Sequence, residues 1–185
     1  TIYPDSIYEL DGSVLFMVRR KDSKKLVVVG DSSTIFDELQ GDIESRDTLK
    51  FKICDLTVEN SKVIRKHFPF TNPIPLLSSE ASLGLGDRLG VAGPGHVRLL
   101  KNSGIRPVLA QQSMRELKLT GRNYAEVLAD AVWAVFQENY RRGFGADGDH
   151  LKTIDEVKMA LDNDYTMITL DCSEHIVDLS NKSKE

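Results

Sequence analysis

The sequence predicts an α/β chain, in which a small α+β region leads into a parallel sheet of about four βα units. Three observations carry this. Short apolar runs separated by polar turns fill the first part of the chain. Three prolines then fall between residues 69 and 75, and beyond them apolar runs alternate with capped amphipathic helices. Strands that alternate with helices imply parallel pairing through right-handed crossovers.

The elements follow in order. VLFMV (residues 14–18) and LVVVG (26–30) flank the polar turn RRKDSKK and predict an antiparallel hairpin with a loop longer than the two-residue kind. In DSSTIFDEL, Ser32 or Ser33 can cap a short helix. TLKFKICDL alternates Leu49, Phe51 and Ile53 with polar neighbours and predicts a half-buried strand with those three facing inward. A helix over residues 59–67 follows. PFTNPIP then marks the boundary, because proline lacks an amide donor and pushes its predecessor out of the helical region. Further on, a strand is predicted near residues 81–86 and another in IRPVLAQQ (105–112). Asn123 and Glu126 form a capping box for a helix that stops near Gly143. GFGAD reads as a strand, with GADGDH placed where that strand should end. Thr153 and Glu156 open one more helix, and YTMITLDCS predicts a buried parallel strand.

Composition narrows the function. The 185 residues are 41% apolar and 28% charged, with a net charge of −4, so a nucleic-acid partner is disfavoured for want of a basic face. No apolar run approaches the ~20 residues that span a bilayer, and no export signal opens the chain, which points to the cytoplasm. Cys54 and Cys172 lack metal-type spacing and read as free thiols. There is no internal repeat and no low-complexity tract apart from the polar tail NKSKE.

Chemistry in parallel α/β folds collects at the carboxyl ends of the strands. Here those ends read GDR (86–88), QQS (111–113), GDH (148–150) and DCS (171–173), each polar directly after an apolar run. Asp149 and His150 form the most chemical pair, an imidazole suited to a divalent ion beside a carboxylate suited to proton transfer. Capping of the next helix is the competing role. Of the other histidines, His67 and His96 read as surface residues, and His175 lies near the same strand end. The loop GLGDRLGVAGPGH spaces Gly84, Gly86 and Gly90 wrongly for dinucleotide binding. It suits a pocket-shaping loop in which Asp87 and Arg88 bind hydroxyls or a carboxylate, or else pair with each other. Arg115 and Arg122 both follow a strand end, and the sequence does not rank them. Trp133 lies on a helical apolar stripe and reads as core.

SLGLGDRLG, HVRLLKNSGIRPVLAQQSMREL, TGR, GFGADGDHLKT and TLDCSEHI, in that order, resemble the amino-terminal half of the tagaturonate epimerase family. These bacterial enzymes interconvert tagaturonate and fructuronate in hexuronate breakdown. The resemblance runs over residues 69–176, and more loosely over the start of the chain. The family in turn is similar to the metal-dependent class II sugar aldolases, which share a barrel and an Asp-His pair at a strand end. This implies that residues 1–70 are a small α+β domain and 71–185 the amino-terminal half of a (β/α) barrel, a partial, barrel-like parallel sheet.

The resemblance also implies roles. Asp149 becomes the proton acceptor and His150 one ligand of a divalent cation, with zinc, manganese, nickel and cobalt not distinguished. Asp87, Arg88, Gln111, Ser113, Arg115 and Asp171 become contacts to a sugar-acid substrate. A retro-aldol and aldol sequence would accomplish the epimerisation. Family members are more than twice as long, so the chain is expected to be an amino-terminal fragment whose further ligands and acid partner lie in the other half. Four strands cannot close an eight-stranded barrel, so residues 165–170 should offer an unpaired edge, open to completion by a homo-oligomer or edge-paired dimer. The alternatives are a class II-type aldolase and a non-catalytic sugar-acid binding module.

Overall fold

A computed structural model describes residues 1–31, 33–77 and 80–176. The candidate cap Ser32 and the tail NKSKE lie outside the described residues. The first sheet is antiparallel, in the order β1-β2-β3-β5-β4, formed by Tyr8–Leu10 (β1), Ser13–Arg19 (β2), Lys24–Val29 (β3), Asp42–Arg46 (β4) and Leu49–Cys54 (β5). The expected hairpin is β2 and β3, paired from Val14 and Val29 outward to Arg19 and Lys24. Helix α1 (Thr34–Glu38) is capped by Ser33, whose hydroxyl accepts from the Phe36 amide, and α2 (Val58–His67) by Thr57.

One expectation reverses here. In β5 it is Lys52 and Cys54 that are buried, while Leu49 is 59% exposed. The neighbouring strands decide the face. Leu15 and Met17 of β2 stand opposite Val28 and Leu26 of β3, which stand opposite Lys52 and Cys54 in turn. That continuous row is the buried one, because residues opposite each other across a sheet share a face. Lys52 is tolerated there because its ammonium donates to the Phe36 carbonyl and, at 2.8 Å, to that of Leu39, satisfying the end of α1. Strand β4, unforeseen in the sequence, is exposed along its whole length, as a charged edge strand should be.

The second sheet is parallel, in the order β6-β7-β8-β9, formed by Ser82–Gly86 (β6), Arg106–Ser113 (β7), Gly145–Leu151 (β8) and Met167–Leu170 (β9). Helices α3 (Gly93–Leu100), α4 (Met114–Thr120), α5 (Tyr124–Gln137) and α6 (Ile154–Asp162) connect these strands, giving the barrel-like α/β arrangement expected. Both predicted capping boxes are present, Asn123 with Glu126 and Thr153 with Glu156. Helix α5 stops at Gln137 rather than near Gly143, and Glu138 donates its amide back to Ala134. GADGDH is not the end of a strand but almost all of one, since β8 runs from Gly145 through Leu151. Strand β9 is parallel as expected but shorter, and it is not buried. Met167 is 41% and Leu170 62% exposed, because β9 is an edge of the sheet.

Helix α5 is buried almost all round and joins the two sheets. Phe136 packs on Tyr8 (ring centroids 4.4 Å apart) and Phe68 (5.3 Å), and the Tyr8 hydroxyl donates to the Phe136 carbonyl at 2.6 Å. Trp133 is core, as the stripe implied. The proline stretch forms the 3-10 turn Pro69–Thr71, and a single cluster of buried residues runs across it from Tyr8 to Tyr165.

Candidate active site

Successive side chains of a strand point to opposite faces, so an inserted residue re-aims everything after it. The parallel sheet uses this twice. In β7, the pairing with β8 steps from Leu109–Ala146 to Gln112–Gly148, one residue longer on β7, and Ala110 takes a left-handed φ of +51°. In β8, the pairing with β9 steps from Gly148–Ile168 to Leu151–Leu170, and His150 takes a φ of +56°. Such a φ is unfavourable for both residues, and bulges that hold it cluster at working sites.

The first bulge turns Gln111 onto the face that carries Asp147. Gln111 donates to Asp147 Oδ2 at 3.3 Å, and the Thr169 hydroxyl donates to the same carboxylate at 2.8 Å. Asp147 is fully buried, and that burial pushes its pKa up. Gly84 lets Gln111 lie flat across β6, since a Cβ there would sit 2.4 Å from Gln111 Oε1. Asp147 was missed in the sequence, although its period-two spacing from Asp149 puts both on one face.

The second bulge turns the His150 imidazole outward, 62% exposed, over a hollow of about 690 Å³ at the carboxyl ends of the strands. Arg88, Ser113, Arg115, His150 and Asp171 line it together with Lys152. Five of the eight residues singled out in the sequence therefore meet at one mouth, one or more from each parallel strand end. Asp149 stands directly behind, with Oδ1 2.7 Å from His150 Nδ1. That hydrogen bond, followed by the Coulombic pull of the same carboxylate, raises the His150 pKa. No other donor among the described residues reaches Asp149.

The remaining candidates are occupied differently. Asp87 does not line the mouth. Its two oxygens accept from the amides of Val91 (3.1 Å), Ala92 (2.8 Å) and Gly93 (2.7 Å), tying down the loop into α3. Gln111 lies on the inner sheet face, against Asp147. Ser113 reaches the mouth, but its hydroxyl caps α4 by accepting from the Glu116 amide. Glu116 in turn pairs with Arg88, and Asp171 lies 3.7 Å from the Lys152 ammonium. The two arginines that the sequence left unranked are separated. Arg115 is exposed in the mouth and forms no ion pair among the described residues. Arg122 is only 15% exposed; it pairs with Asp130 and donates to the carbonyls of Asp87 and Arg88. His67 is bound to Glu38 at 2.9 Å, and His96, on α3, is half-buried, so neither is the surface residue expected. His175 does not line the mouth.

A divalent cation fits this site only in part. An imidazole held at Nδ1 by a carboxylate presents Nε2 as a ligand, the usual outer-shell arrangement. No three His, Cys, Asp or Glu side chains gather around a common point among the described residues. Cys54 is buried and Cys172 exposed, and both are free. No helix among the described residues is long and apolar enough to cross a membrane.

Comparison with known proteins identifies the family. The family model for tagaturonate epimerase matches residues 3–185. The tagaturonate/fructuronate epimerase of Thermotoga maritima is 39% identical over all of this chain, which spans 38% of that relative's length. Crystal structures of fructuronate-tagaturonate epimerase from Cohnella laeviribosi, native and with glycerol, superpose with a TM-score of 0.91 at 48% identity, over all of this chain and 36% of theirs. The chain thus spans little more than a third of each relative, and it belongs to the tagaturonate epimerase family.

Proposed function

We propose that this chain is the amino-terminal part of a metal-dependent epimerase that interconverts tagaturonate and fructuronate. The observation that carries the reading is the bulge in β8, which sets His150 over the strand-end mouth with Asp149 at its Nδ1. His150 Nε2 would hold one position on a divalent cation; the other donors would come from the remaining two-thirds of the barrel enzyme. When bound, the cation supplies Lewis acidity at the substrate ketone oxygen.

The chain's own residues do the rest. The inverted carbon lies β to the ketone, so removing its hydrogen yields no enolate, whereas breaking the adjacent carbon–carbon bond does. Asp149 takes the hydroxyl proton as that bond breaks, leaving an aldehyde and an enolate. The aldehyde turns over, the enolate re-adds to its other face, and Asp149 returns the proton. Arg115, which forms no ion pair among the described residues, anchors the substrate carboxylate, and Arg88 lines the same mouth.

The test uses the full-length enzyme carrying this segment. Asp149→Asn is expected to lower epimerisation by about 10²–10⁴-fold without shifting the thermal midpoint, and a chelator should abolish it. Release of free aldehyde as the net product would identify an aldolase instead. Saturable uronate binding that survives both treatments, with no turnover, would identify a binding module. A substrate analogue lacking the reacting hydroxyl should bind unchanged, and its epimerisation would rule out the retro-aldol route.

A further inference from the structure

A second hollow, of about 710 Å³, lies away from the strand mouth, between the β2–β3 turn, one face of α5 and the loop before α3. Its size is that of a small-molecule site. On its floor stand Asp130, Trp133 and Gln137, spaced three and four apart on the helix so that they share a face. At its rim lies Lys24, half-buried, its ammonium 2.8 Å from Gln137 Oε1 and 5.3 Å from the Tyr3 ring centroid, both neutral partners.

Lys24 forms no ion pair among the described residues, although the field of Asp130 reaches it from the floor of the hollow. Glu138, whose field reaches it, is already held by Arg98 at 2.7 and 3.0 Å and by Gln137 Nε2 at 2.8 Å. Burial accordingly draws the Lys24 pKa down. Arg19 and Lys21, exposed on the same turn, have no ion pair among the described residues. Asp130 presents the opposite character. Its Oδ2 takes Arg122, and its Oδ1 accepts nothing among the described residues. Burial pushes its pKa up to about 6. A rim that carries Arg19, Lys21 and Lys24, with Asp22 and Asp55 also lining the hollow, faces the Asp130 carboxylate and an indole.

We propose that this outer hollow is a second binding site, for a small polyhydroxylated carboxylate: its anionic end on Lys24, its hydroxyls on Asp130, its carbon chain against Trp133. A single half-buried ammonium matches one carboxylate charge better than a phosphate, which calls for a guanidinium fork or a ring of amides. The site owes nothing to Asp149 or His150 and stands or falls apart from the chemistry of the mouth.

Trp133 is the only tryptophan in these 185 residues, so in this segment its fluorescence reads the hollow with no turnover needed. Titration with D-gluconate is expected to give a saturable change, while sorbitol and inorganic phosphate leave the emission flat. Lys24→Met should weaken gluconate binding about tenfold or more. The exposed double change Arg19→Gln with Lys21→Gln, which cannot disturb the core, should weaken it less. Arg115→Ala, in the mouth, should leave the titration unaltered. The proposal is overturned by an absent or non-saturable response, by an equal response to sorbitol or phosphate, by unchanged affinity in both rim variants, or by a signal that Arg115→Ala removes.

Discussion

The antiparallel sheet buries an unbroken row, Leu15, Met17, Leu26 and Val28, and continues it into Lys52, whose charge is spent on two helix-end carbonyls. The parallel sheet is built otherwise. Its inward face carries Gln111, Asp147 and Thr169, and its register slips at Ala110 and His150. Parallel sheets are normally covered on both faces and apolar throughout. The contrast teaches that the buried polar group of the first sheet is spent on helix-end carbonyls, whereas those of the second bond across the sheet to one another. Pairing is regular through the first sheet, and the register of the second slips beside the strand-end mouth.

The sharpest way to break this comparison is at Phe136, which joins the two regions. Phe136→Ala is expected to cost about 3–5 kcal/mol, seen as one urea transition displaced equally by far-ultraviolet circular dichroism and by Trp133 fluorescence. Separate transitions would mean that the sheets fold independently. Lys52→Met comes next, at about 1–3 kcal/mol, because the carbonyls of Phe36 and Leu39 lose their donor in a buried place; a stability gain would deny the scaffold role. Ser33→Ala and Ser113→Ala remove the same kind of cap, each at about 1 kcal/mol. In the full-length enzyme the second alone should also raise KM, since Ser113 lines the mouth. Equal KM values for the two would erase the distinction. Smallest is Asp147→Asn. The raised pKa of Asp147 means that its contribution is complete below the ordinary carboxylate range and lost as pH climbs through the raised value. The substitution should therefore stabilise at pH 7 by about 0.5–1 kcal/mol and by less at pH 4, in paired thermal melts. A larger benefit at pH 4 would reverse the sign and refute the account.

Much of the scaffold was legible because its signals are local. The hairpin, the cap at Ser33 and the boxes at Asn123 and Thr153 each depend on residues within a few positions of one another. The face of β5 was not, since Leu49, Phe51 and Ile53 alternate correctly and only the row supplied by β2 and β3 turns them outward. The site divides the same way. The four strand ends were visible as polar steps after apolar runs, and the mouth does gather Arg88, Ser113, Arg115, His150 and Asp171. What could not be read were the bulges, because Ala110 and His150 carry no glycine-like mark of a left-handed backbone. Without them Asp147 passed for the last residue of the strand GFGAD with no role of its own, and Asp87, expected as a substrate contact, has its oxygens on loop amides.

Arg122 touches neither hollow's expected guest, yet its guanidinium is shared between Asp130 on one side and the backbone beneath Arg88 on the other. A planar fork can satisfy both sides at once where a lysine could answer only one. In an exhaustive substitution scan this position should therefore be as intolerant as a contact residue, lysine included, although nothing about its own exposure announces it.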